Sequence, residues 1–172
     1  MSPELSSALA EAGLLAKLLL QESGFAFSDG LSGIELERRA SASALRLLRL
    51  CGEACLSAGV DPPKAWRSHV DADFRKLVER TGLRPEPLAT VRPGEAWEET
   101  VLREAPIARS RYALQGTREW GAAETATDLL HQLAAAATAE ASGNSVGFAS
   151  EMMDVAGHAA ILSAPRMGGE KE

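Results

Sequence analysis

Two consecutive segments near the C-terminus, about residues 117–141 and 145–163, are rich in alanine and apolar around most of their circumference. Apolar residues recur in both segments at spacings of three and four, which predicts α-helices. The Gly143-Asn144-Ser145 turn between them predicts an antiparallel helical hairpin. Because a helix with a narrow polar stripe has to bury most of its surface, the chain must cover both segments with further helices or with another chain.

The rest of the sequence predicts an all-α protein, a single bundle of about five to seven helices with this hairpin at its centre. β-branched residues are sparse and aromatic residues make up 5% of the chain, which fits helices packed through Ala and Leu better than strands. N-cap residues, prolines and glycines predict further helices over about residues 2–24, 34–58, 61–81 and 95–105, and a short one from Pro106 to Tyr112.

At 172 residues the chain has the size of one domain, and we expect residues 1–164 to form it. Residues 83–94 contain several prolines without helical periodicity, which predicts an extended connector. Two subdomains, 1–82 and 95–164, are therefore the alternative organisation. Residues 165–172 are predicted to be a flexible tail.

Each C-terminal segment carries one acid–histidine stripe, a row of two acids and one histidine on a single helix face. The stripes consist of Glu124, Asp128 and His131 on the first segment, and Glu151, Asp154 and His158 on the second. The two histidines lie at similar distances from the turn, so a hairpin would set them at similar heights.

Facing imidazoles and carboxylates are the donors from which helical bundles build zinc or iron sites. The predicted metal ligands are His131, His158, Asp128 and Asp154. His69 on the third helix shares a face with Asp73 and could join them. Acid–base chemistry is a second possibility, and a solvated polar stripe without a ligand is the third.

Cys51 and Cys55 are four residues apart in a strong helical pattern, which favours buried thiols over a zinc site, because no second Cys/His pair accompanies them. The apolar stretch 8–20 contains Glu11 and Lys17, and it predicts neither a secretory signal nor a membrane span. The cytoplasm is the expected location.

The net charge of −6 disfavours a dedicated nucleic-acid-binding protein. A nucleic-acid-binding accessory subunit remains a third functional hypothesis, because four arginines of the second helix could line one face. Glutamates dilute their charge, and aromatic residues do not alternate with them. These arginines are Arg38, Arg39, Arg46 and Arg49.

Sequence motifs of phosphate loops and nucleophile turns are missing, whereas two nearly apolar helices need a cover. We therefore expect a non-enzymatic intracellular protein that docks to another chain, as a small subunit, adaptor or accessory factor of a larger assembly, or to itself as a homodimer. A metal-dependent enzyme or metal-binding protein is the alternative. Aromatic and methionine side chains favour interfaces, and the predicted interface residues are Trp120, Tyr112, Phe148 and Met152.

Overall fold

The computed structural model describes residues 1–25, 30–84, 94–112 and 121–164, and it leaves out the side chains of residues 110–112. Six α-helices run through these ranges: α1 (Pro3–Glu22), α2 (Gly33–Ser57), α3 (Pro62–Thr81), α4 (Trp97–Tyr112), α5 (Ala122–Ala141) and α6 (Ser145–Ser163). The described ranges contain no strand, so the predicted all-α class is confirmed.

Within the same ranges, none of the helices combines the length and the apolar character that a membrane span requires. The predicted tail, 165–172, lies outside the described residues, as do residues 85–93 of the predicted connector.

Local sequence signals set the helix starts. The Ser2 hydroxyl accepts a hydrogen bond from the backbone N–H of Leu5 at 3.3 Å, and Pro3 occupies the first turn of α1. Asn144 caps α6 in the same way through the N–H of Gly147 at 2.9 Å. Gly82 ends α3 with a φ of 69°, a left-handed conformation that glycine adopts at little cost.

Two helix boundaries differ from the prediction. Pro106 was expected to separate two short helices, but α4 continues through it. A proline inside a helix removes one backbone hydrogen bond, and the burial of Val101 and Ala105 in the core offsets that loss. The fifth helix was expected to begin near residue 117, and α5 begins at Ala122.

Helix α6 packs against four other helices, α2, α3, α4 and α5. Helix α5 lies at the edge and packs against α1 and α6 only, among the described elements. Trp66 of α3 is 3% exposed and belongs to the core, and Trp97 of α4 packs against it.

Candidate functional site

The structure joins Asp128 of α5 to His158 of α6. Nε2 of His158 lies 3.1 Å from Oδ2 of Asp128, and both side chains are about one-fifth exposed. Oδ2 of Asp128 is out of contact with solvent. Two of the four predicted metal ligands are therefore neighbours.

Asp154, the third predicted ligand, contacts a histidine of a different helix. Its Oδ1 lies 3.4 Å from Nε2 of His69 on α3. The same Nε2 lies 3.5 Å from Oδ2 of Asp73, and Oδ1 of Asp73 is 4.0 Å from Nζ of Lys76. Asp154 thus belongs to a cluster between α3 and α6. Its histidine neighbour in this cluster is His69, whereas the sequence predicted a site with His131 and His158.

His131, the fourth predicted ligand, is exposed on the outward face of α5. Of the residues that the structure describes, no three His, Cys, Asp or Glu side chains come together in a way that could hold a metal ion. The four predicted ligands are split between a pair, a separate cluster and an exposed imidazole. Metal binding therefore stays a prediction.

The surroundings of Asp154 disfavour its charged form. Burial raises the pKa of this carboxyl from its ordinary value of 3.8 to about 7, and the neighbouring carboxylates of Asp73, Glu151 and Asp128 add to the effect, whereas Lys76 opposes it. The Asp154 carboxyl therefore titrates near neutral pH.

Both buried histidines favour their neutral form. Burial lowers the pKa of His69 below 6.5, against the attraction of Asp73. Burial likewise lowers the pKa of His158, against Asp128, and Arg109 and His69 lower it further. At neutral pH the three His–Asp contacts are thus contacts of neutral imidazoles rather than full ion pairs.

Trp66 lies beside His69 and is bonded to Glu104 of α4. The Trp66 ring lies 5.6 Å from the His69 ring, centroid to centroid. Its Nε1–H donates a hydrogen bond to Oε2 of Glu104 on α4 at 3.0 Å, and Glu104 is 0% exposed. Sequence reasoning missed Glu104, because a glutamate with other acids nearby on an amphipathic helix is usually solvated.

A groove of about 420 Å³ opens between α3 and α6 beside this cluster. Its polar lining comes from both helices and from the residue before α3: Asp61, Lys64, Ser68, His69, Asp73, Lys76, Ser145, Ser150 and Asp154. The groove has the size of a small-molecule site, but its cations and carboxylates are of similar number, so its charge singles out no ligand class.

The predicted interface residues lie in different environments. Phe148 and Met152 are 1% and 0% exposed, because α6 is surrounded by four other helices. They pack inside the chain, and a partner could reach them only if the bundle opened. Tyr112 is the last residue of α4, but its side chain and the whole of Trp120 lie outside the described residues.

Cys51 and Cys55 are free and buried in the core, as the helical pattern predicts. Burial raises the pKa of Cys55 to about 12 and that of Cys51 well above its ordinary range, where the Cys55 thiol adds to the effect. Both thiols are therefore protonated at neutral pH, which makes them poor nucleophiles and poor metal ligands.

We expect Asp154→Asn to make the protein more stable at pH 8 and to change its stability little at pH 4. The folded pKa of Asp154 lies above the unfolded one, so the folded protein holds a proton that the unfolded chain has lost. The cost of charging this carboxyl is absent below about pH 4 and grows as the pH rises to about 7. The side chain is 38% exposed, and solvent screening limits the expected gain to about 1 kcal/mol.

Thermal unfolding followed by circular dichroism at both pH values measures this difference. Asp71→Asn is the matched control, because Asp71 is an exposed residue of the same helix as His69. A variant less stable than the original protein at pH 8 would show that the Asp154 carboxylate stabilises the contact with His69.

Comparison of the chain with protein-family models, with curated proteins and with solved structures finds no match.

Proposed function

We propose that this protein is a non-enzymatic docking protein that associates with a second copy of itself through the outward face of α5. The supporting observation is that this helix at the edge of the bundle exposes a surface with almost no charge. The α5 outer face consists of Ala123, Thr127, Leu130, His131, Ala134, Thr138 and Ala141, all exposed.

The composition of the α5 outer face is unusual for a solvated surface of this chain. Charged residues make up 24% of the sequence, whereas the face carries only His131 as a titratable group. Glu124 and Asp128 lie at its border and are partly buried. A helix face without charge is typical of a surface that another chain covers.

The spacing on this face suits a helix as the partner. Thr127, Ala134 and Ala141 follow each other at intervals of seven residues, as do Ala123 and Leu130. A seven-residue repeat keeps the same face toward a neighbouring helix, and small side chains allow the two helix axes to approach closely. An identical helix satisfies both conditions by two-fold symmetry, with Leu130 of one copy against the small residues of the other.

The size of the face predicts a weak dimer. A helix of 20 residues is about 30 Å long, so a single helix pair buries less than the roughly 1,600 Å² of a standard interface. We therefore expect a dissociation constant in the micromolar range or above, and a monomer–dimer equilibrium that depends on concentration.

Sedimentation equilibrium or size-exclusion chromatography with light scattering, over a wide range of protein concentrations, tests the proposal. We expect dimers at high concentration, and Ala134→Glu should abolish them because it buries two carboxylates at the centre of the contact. Ala10→Glu on the exposed side of α1 makes the same substitution outside the face, and it should leave the dimer intact.

A monomer at every concentration would refute self-association, and so would equal effects of Ala134→Glu and Ala10→Glu. A monomer that forms a stoichiometric complex with a different chain, sensitive to Ala134→Glu alone, would assign the same face to an adaptor or accessory subunit. Circular dichroism of both variants shows whether they fold.

A further inference from the structure

A second groove, of about 320 Å³, lies between α1 and α2 on a part of the chain that the α5 outer face does not include. Its apolar lining consists of Leu14, Leu18, Leu31 and Ala42. Leu14 is 43% exposed although it lies in the middle of α1. The groove thus offers a hydrophobic floor that is open to solvent.

Four cationic side chains line the same groove: Lys17, Arg38, Arg39 and Arg46. The three arginines outnumber Glu11 and Glu35, the two carboxylates that hold them. This excess of positive charge is local, because the whole chain carries a net charge of −6. A cationic groove in an acidic protein is selective for an anion.

Glu35 fixes two of the arginine side chains. Its Oε1 accepts hydrogen bonds from Nη2 of Arg38 and from Nε of Arg39, both at 2.8 Å. These bonds lower the pKa of Glu35 to about 2. Arg39 makes this contact through its Nε, whereas Arg38 uses both Nε and Nη2.

Glu11 of α1 fixes the third arginine across the groove. Its Oε1 accepts a hydrogen bond from Nε of Arg46 at 3.2 Å and a second from the Ser43 hydroxyl at 2.5 Å. The guanidinium groups on the rim are therefore held in place before a ligand arrives, which reduces the entropy that binding costs.

We propose that the groove between α1 and α2 binds a small amphiphilic anion, a molecule with a carboxylate or sulfonate head and a short apolar body. The guanidinium groups match a carboxylate in shape and charge, and the leucines receive the apolar body. The volume of about 320 Å³ lies at the small end of ligand sites, so the body is a short chain or a single ring system rather than a long lipid tail.

Isothermal titration of the protein with decanoate, below the concentration at which decanoate forms micelles, tests the proposal. We expect one saturable site. Decylamine has the same chain with a cationic head, and it should bind at least about tenfold more weakly because its charge is repelled.

Two pairs of variants test separately the contacts of the charged head and of the apolar body of decanoate. Arg39→Gln removes a rim guanidinium and should weaken decanoate binding about tenfold, whereas Arg49→Gln removes an exposed arginine of α2 outside the groove and should not. Leu14→Ser removes part of the floor and should weaken binding, while Leu56→Ser changes a leucine that is 65% exposed elsewhere and should have no effect.

Absence of saturable binding would overturn the proposal, and so would equal affinity for decanoate and decylamine, or variants that match their controls. Binding of a single-stranded oligonucleotide, steeply dependent on salt and abolished by Arg39→Gln, without decanoate binding, would assign the arginines to nucleic acid instead. The titration is repeated on the Ala134→Glu variant, in which we expect no dimer. Decanoate binding is thereby tested independently of dimerisation.

Discussion

Glu104→Ala is expected to lower the free energy of unfolding by about 3 kcal/mol, because it leaves buried polar groups without their partner. Glu104 is 0% exposed. Its Oε2 accepts the hydrogen bond from Nε1 of Trp66, and its Oε1 lies 3.4 Å from Nη2 of Arg67 and 3.7 Å from Nη2 of Arg103. Alanine would remove the acceptor, leave a cavity and weaken the link between α3 and α4.

Guanidinium unfolding followed by circular dichroism gives the size of this loss. Glu104→Gln keeps an oxygen that can accept from Trp66, so it should cost only about 1 kcal/mol. Glu99→Ala truncates an exposed glutamate of the same helix and should change stability by less than about 0.5 kcal/mol. If Glu104→Ala were as mild as Glu99→Ala, the buried carboxylate would have no structural importance.

Gly52→Ala is the second large effect, and we expect a loss of about 1–3 kcal/mol from overpacking. A Cβ atom on Gly52 would lie 2.5–2.6 Å from three atoms of the Trp97 indole, closer than unbonded carbon atoms can approach. Trp97 would have to leave the place where α4 meets α2, and that displacement outweighs the gain of up to about 1 kcal/mol in helix propensity from glycine to alanine.

Gly13→Ala is the matched control for this substitution. Gly13 also lies inside a helix, but a Cβ there would meet no atom within 4 Å apart from its chain neighbours and the nearby backbone of its own helix. The same change should therefore stabilise the protein by up to about 1 kcal/mol. Opposite signs at the two glycines, measured by denaturant unfolding, would confirm the close contact, and a stabilising Gly52→Ala would contradict it.

Helix positions follow from the sequence because their signals are local. Ser2, Asn144 and Gly82 act within one turn of the helix ends that they set, and the apolar spacing needs no knowledge of the partner helix. The prediction was wrong at Pro106, because the burial of neighbouring residues in the core offsets the cost of one lost backbone hydrogen bond. That burial depends on the whole bundle.

The candidate site was only partly accessible to sequence reasoning. Spacing places Asp128, Asp154 and His158 on the correct helices, and the structure brings Asp128 to His158. The sequence offered His69 as a possible further ligand, but it did not show that His69 would contact Asp154 or that His131 would face outward. Angles between helices, which are set by side-chain packing over the whole interface, decide these contacts.

The sequence alone determined that this chain is helical, since periodicity and capping act over a few residues. It also predicted that two Ala-rich helices would need a cover, from other helices or from another chain. Only the tertiary structure decided how far each is covered within the described residues: α6 packs against four helices, whereas α5 packs against two and exposes an uncharged face. Two helices of similar composition differ in this way because burial depends on how many other elements pack around each one. The sequence of a single helix does not specify that number.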